Sequence, residues 1–144
     1  VCRATGGSAG CLPGEEVTEF SVNIPMVPVP KGRPRFTRTG HAFTDPKTRK
    51  AELELQIACH HAWHYEPMEC PVIVEAEFYF PKSKTNKTTH HTQRPDADNC
   101  LKLLTDAMNG IVFKDDSQIV KATASKFWAI DGEPMVSVRV YPKE

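Results

Sequence analysis

The chain has 144 residues, with eighteen Lys and Arg against eighteen Asp and Glu, a formal net charge of zero, and 40% hydrophobic residues. That is enough chain for one domain with an ordinary core, and the apolar content excludes a disordered polymer. No apolar run approaches the roughly 20 residues that span a bilayer, and no basic-then-apolar secretory pattern is present.

Residues 1–16 are rich in Gly, Ala, Ser and Cys without periodicity. They are expected to form a disordered leader, which leaves 17–144 as the folded domain. Thr18 to Pro25 alternates Phe20, Val22 and Ile24 with polar neighbours, as a half-buried strand does. Pro25, Pro28 and Pro30 then force an extended segment.

Lys31 to Thr44 follows, with a tight turn expected at Thr39-Gly40 between two short strands. Lys31, Arg33, Arg35 and Arg38 interleave with Phe36 and Phe43. Arginine forks fit phosphate oxygens and aromatic rings stack on bases, so nucleic acid is one reading. A solvated basic hairpin with both aromatics in the core is the other. From Lys31 to Lys50 there are seven basic residues and one acid, Asp45, so the neutral total conceals a local basic field.

Asp45-Pro46 is placed to open a helix, Asp45 as its cap and Pro46 in its first turn. The helix is expected to run to about His64, with Leu53, Leu55, Ile57, Ala58 and Ala62 giving a broad apolar face. His60, His61 and His64 near its end suit the helix dipole better than a metal, since no carboxylate lies at a matching offset. Cys70 to Pro81 is the clearest alternating strand. Lys82 to Arg94 has no apolar residue and four basic ones, Lys82, Lys84, Lys87 and Arg94, so an exposed basic loop is expected there.

Asp96 to Asn109 reads as a second helix, with Leu101, Leu104 and Met108 as its buried stripe and Asn109-Gly110 ending it. Asp115-Asp116 marks a turn, Ser117 to Ala129 a strand, Asp131-Gly132 a hairpin signal and Pro134 to Tyr141 a last strand. The five cysteines, Cys2, Cys11, Cys59, Cys70 and Cys100, form no C-x-x-C pair. They read as reduced thiols of a cytoplasmic protein, not as zinc ligands. The fold class that results is α+β, a mostly antiparallel sheet packed by two main helices.

Arg94 to Lys126 holds five of the eighteen acids: Asp96, Asp98, Asp106, Asp115 and Asp116. Asp98, Lys102 and Asp106 are spaced by four and share one helical face. A turn at Asp115-Asp116 can return these acids to the helix start. Close carboxylates repel unless a hard cation neutralises them, and magnesium takes oxygen ligands together with water and phosphate. The plainer reading makes Asp96 a cap, Asp98 with Lys102 a helix ion pair and Asp115-Asp116 a turn. It leaves unexplained why acids crowd there just downstream of a basic stretch.

RPDADNCLKLLTDAMNG, followed by DDSQIV and a later lysine, resembles the RusA family of Holliday-junction resolvases. The likeness extends from the first strand and PVPKGRPRFTRTGHAFT to the last strand. It implies a homodimeric, magnesium-dependent endonuclease of bacterial or prophage origin that cuts four-way DNA junctions, with manganese able to substitute. By position, the resemblance assigns Asp96, Asp98 and Asp116 to metal binding and catalysis, Lys102 to catalysis and Asp115 to the metal's surroundings. Lys31, Arg33, Arg35, Arg38, Lys82, Lys84, Lys87, Arg94 and Lys126 are the expected DNA contacts. Asn99 and Asp106 fall on recurrent family positions. The connection from Gly110 to Asp115 is shorter than in some relatives. A nuclease for forks or flaps and a non-catalytic DNA-binding protein are the alternatives.

Overall fold

A computed structural model describes residues 19–32, 35–43, 45–82, 89–129 and 132–143. The expected leader therefore lies outside the described residues. Along the chain come β1 (Phe20–Ile24), β2 (Arg35–Phe36), β3 (Ala42–Phe43), α1 (Pro46–Ala62), β4 (Val72–Phe80), α2 (Ala97–Met108), β5 (Ile119–Trp128) and β6 (Met135–Pro142). A single 3-10 turn, Asp116–Gln118, leads into β5.

The main sheet has four strands in the order β1-β6-β4-β5, and β2 pairs with β3 separately. β6 is antiparallel to both β1 and β4, but β4 and β5 run parallel. The sheet is thus mixed, which corrects the mostly antiparallel expectation. The physical reason is the connection. A parallel pair needs a long crossover, and α2 lies between β4 and β5 in sequence.

Alternation sorts the sheet into two faces. Val72, Val74, Ala76, Phe78 and Phe80 of β4 are buried, as are Val136, Val138 and Val140 of β6 and Phe20 and Ile24 of β1. Against this face pack Ala51, Leu55 and Cys59 of α1 and Cys100, Leu103, Leu104, Ala107 and Met108 of α2. The other face is polar, where Arg139 pairs with Glu19 and Glu75, and Tyr141 donates to Glu75 at 2.9 Å.

The α1 stripe differs from expectation. Leu53 and Ile57 are exposed, while Ala51, Leu55 and Cys59, spaced by four, turn inward with Thr48. Leu53 and Leu55 are two positions apart, about 200° around a helix, so only one of them can face the core. Asp45 takes the cap position without a side-chain capping bond, and its backbone carbonyl accepts from the Arg49 N–H at 3.0 Å.

Two further expectations change. Cys59 and Cys100 are free and buried, but Cys70 is disulfide-bonded. The lack of a C-x-x-C pair does not bear on such a bond. The stretch before Arg94 is not all exposed loop either. Thr89 to His91 runs antiparallel along the end of β5, bridged at His90 and Phe127, and His91 is buried. Its ring stacks on Phe80 at 3.9 Å, so an imidazole fills a place usually taken by an apolar side chain. Among the described residues no helix is long and apolar enough to cross a membrane.

Candidate active site

Three elements deliver the acidic stretch. The first is the start of α2. Asp96 stands at its cap position in extended conformation, and its carbonyl accepts from the Cys100 N–H at 3.2 Å. Its carboxylate makes no capping bond. Asp98 follows in the first turn, and both side chains are exposed. The plain-cap reading of Asp96 therefore loses its basis, because the carboxylate is not spent on the helix.

The second element is the lysine face of the same helix. Lys102 does not reach up to Asp98. It pairs with Asp106 one turn below at 3.0 Å and with Asp116 at 3.7 Å. Asp106 is shared, since Lys31 lies 3.3 Å from its other oxygen. Lys31 in turn is 3.4 Å from Glu52 on α1. The result is a line of alternating charge, Glu52, Lys31, Asp106, Lys102 and Asp116, across both helices. The two carboxylates hold the Lys102 ammonium above the usual lysine pKa, Asp106 contributing most, so the group stays cationic at neutral pH.

The third element is the Asp115–Gln118 turn, and Gln118 fixes it. Its amide nitrogen donates to the carbonyls of Met68 at 2.7 Å and Cys70 at 2.9 Å. Its amide oxygen accepts from the Asp115 N–H at 2.8 Å. The two acids of the turn then part. Asp115 accepts from the Ser117 hydroxyl at 2.5 Å, which lowers its pKa, while Asp116 faces Lys102. Gly110, at φ 81°, takes the left-handed position that ends α2 and lets the chain turn toward this element.

Among the described residues, no group of three or more His, Cys, Asp and Glu side chains is gathered closely enough to hold a metal ion. The donor chemistry nevertheless fits a hard cation. Asp96, Asp98 and Asp116 offer only carboxylate oxygens, and magnesium is commonly held by one or two carboxylates with substrate phosphate and water completing the shell.

The basic residues divide. Arg38 and Lys82 are exposed. Arg94 lines a cleft of about 480 Å³ with Lys47, Asp96, Asn99, Phe80 and Pro28, beside the start of α2. Lys31 is engaged in the ion-pair line, and its N–H donates to the Asn99 carbonyl at 2.9 Å. Lys126 donates to two backbone carbonyls, those of Gln93 and Pro95. Arg33, Lys84, Lys87 and the Arg35 side chain lie outside the described residues. Phe36 and Phe43 are on the surface, 70% and 43% exposed, so the hairpin does not bury its aromatics in the core.

Sequence reading missed Glu52, Gln118 and His91. Glu52 carries no local signal, because its partner is on another element. Gln118 did carry one: an amide directly after a turn of acids is placed to bond back to the backbone.

A family model described as endodeoxyribonuclease RusA matches residues 25–141. An uncharacterized protein of Bacillus subtilis (strain 168), YqaN, is 30% identical over 128 residues, covering 78% of this chain and 89% of the relative.

Proposed function

The chain belongs to the RusA family of endodeoxyribonucleases, which are Holliday-junction resolvases and in general divalent-metal dependent, and from that premise we propose a magnesium-dependent, junction-selective cleavage centred on α2. The observation that carries the reading is Lys102 pinned between Asp106 and Asp116, one turn below the uncapped carboxylates of Asp96 and Asp98. One helix and one turn thereby present hard oxygen donors and a fixed cation along a single surface.

Asp96, Asp98 and Asp116 would hold the ion, with Asp115 beside Asp116 on the turn. When bound, the ion polarises a phosphoryl oxygen and makes a water nucleophilic at neutral pH. Water attacks the phosphorus in line, the phosphorus–oxygen bond to the leaving nucleotide breaks, and that oxygen takes a proton. Lys102, kept cationic by its neighbours, stabilises charge developing on the phosphoryl oxygens. Arg94 and Lys47 line the adjoining cleft and orient the flanking strand. Arg38 and Lys82, with Arg33, Arg35, Lys84 and Lys87, supply the wider phosphate contacts.

A four-way junction has approximate two-fold symmetry, so an isologous homodimer presents equivalent sites to opposed strands. Purified protein incubated with magnesium and synthetic four-way, forked and linear duplex DNA tests the reading. Paired, symmetric nicks in the four-way substrate are expected, and loss of cutting when the metal is chelated. Preferential cutting of forks, or cutting indifferent to chelation, is the result against it. Sedimentation of the free protein checks the dimer.

A further inference from the structure

Lys126 sits where the pattern asks for an apolar residue. It is paired with Phe78 in the parallel register, and its row on β5 continues through Ala124 and Trp128 toward the helices. A lysine on a core-facing row is out of place unless its ammonium is satisfied. It is satisfied: Nζ donates to the carbonyl oxygens of Gln93 and Pro95, both at 2.8 Å.

The backbone around it is engaged in the same task. The Lys126 carbonyl accepts from the His91 N–H at 3.1 Å, and the Trp128 N–H donates to the Thr89 carbonyl at 3.0 Å. His91 is wedged between Phe80 at 3.9 Å and Trp128 at 4.3 Å, ring centre to ring centre. Thr89 to Pro95 is thus fastened along the end of β5, and its last residue is the one before Asp96.

We infer that Lys126 is a positioning residue that fixes the start of α2, and through it Asp96 and Asp98, rather than a contact to DNA phosphate. The inference rests on the functional reading above for the consequence of that position. A lysine gripping phosphate releases a counterion on binding and adds about one to the salt dependence of affinity. Lys126 already gives two of its three N–H donors to carbonyls, which fixes the ammonium against the Gln93–Pro95 backbone and leaves one donor for anything else. Misplacing a reacting group by about 1 Å costs up to roughly 100-fold in rate.

The experiment uses the full chain with Lys126→Met and Lys126→Arg. Four measurements are made: junction affinity across a salt series, cleavage rate at saturating junction, thermal melting, and amide hydrogen exchange. For Lys126→Met, the saturated rate is expected to fall between about tenfold and 100-fold. Affinity and its salt slope stay at the wild-type value. Exchange accelerates in the segment from Arg94 to Asn99 and stays unchanged in β4 and β6. Lys126→Arg, which retains donors, recovers part of both the rate and the exchange protection. A salt slope reduced by about one with the saturated rate retained identifies a phosphate contact and overturns the inference. Unchanged exchange at the start of α2 overturns it as well. If melting shows Lys126→Met unfolded, Lys126→Gln, which loses the charge but keeps an N–H donor, is measured in its place and decided by the same criteria. If the wild type fails to cut the junction, the functional reading fails, while the exchange comparison still decides the clamp.

Discussion

The start of α2 and the turn at Asp115–Gln118 both present carboxylates, yet they are secured by opposite kinds of chemistry. Asp96 and Asp98 follow a segment held by a cation, Lys126, donating to two carbonyls. Asp115 and Asp116 sit on a turn held by a neutral amide, Gln118, which donates twice and accepts once. The Gln118 anchor has no charge to titrate, and its three bonds are geometrically complete. The Lys126 anchor, by contrast, is a charged ammonium held by two neutral carbonyls. Lys102 joins the two regions, since it leaves α2 and ends near Asp116.

Removing the acids breaks the comparison most severely. Alanine at Asp98 or at Asp116 is expected to abolish junction cleavage while junction binding, read by gel shift, persists. Equal loss at both sites means that the two regions form one centre. Wild-type cutting by either variant disproves its assignment. Lys102→Met comes next, with a fall of about 10²–10³ in rate at saturating DNA, the size found when one charge-stabilising group is deleted.

Gln118→Leu tests the neutral anchor. It removes the Gln118 amide from the Met68 and Cys70 carbonyls, of which Met68 keeps the Lys114 N–H, and is expected to cost about 1–2 kcal/mol, measured by denaturant unfolding. Cleavage falls with it, because Asp116 loses its mooring.

A pH series sharpens the contrast further. Burial, then the nearby Lys126 charge, lowers the His91 pKa below its ordinary 6.5. The folded protein therefore binds this proton less well than the unfolded chain. The stability contributed by neutral His91 is present above about pH 6.5 and is lost as pH falls through the lowered value. His91→Phe is expected to flatten that part of the stability curve, and the Gln118-held turn contributes nothing to it. The smallest effect is expected from Glu52→Gln. It removes the outer end of a half-exposed ion-pair line and costs at most about 1 kcal/mol, checked by the same unfolding measurement.

Much of this organisation was legible in the residues. Alternation located β1, β4 and β6 within two residues of their observed ends, and Gly110 ended α2 where expected. Strand direction was not legible from alternation, because a period of two is the same for parallel and antiparallel neighbours. The helix between β4 and β5 was the clue that permitted a parallel pair. The acids of the candidate site were visible as a local excess, but their different partners, Lys102 for Asp116 and Ser117 for Asp115, were not. The partners of Lys31 and Lys126 were hidden for one reason. A basic side chain advertises charge in sequence, but whether it faces phosphate, carboxylate or a backbone carbonyl depends on elements far along the chain.

The bonds from Lys126 to Gln93 and Pro95 also make the span between them a closed circuit, its entrance and exit stapled together. Within that circuit lie α2, the Gly110–Asp115 connection and the turn. The interior is pinned as well: Val112 and Phe113 of the Gly110–Asp115 connection are fully buried, and Met68 bonds to it on both sides, its N–H to the Val112 carbonyl at 2.9 Å and its carbonyl to the Lys114 N–H at 3.1 Å. A circuit held at its mouth and along its length carries the acids at its two ends as parts of one frame.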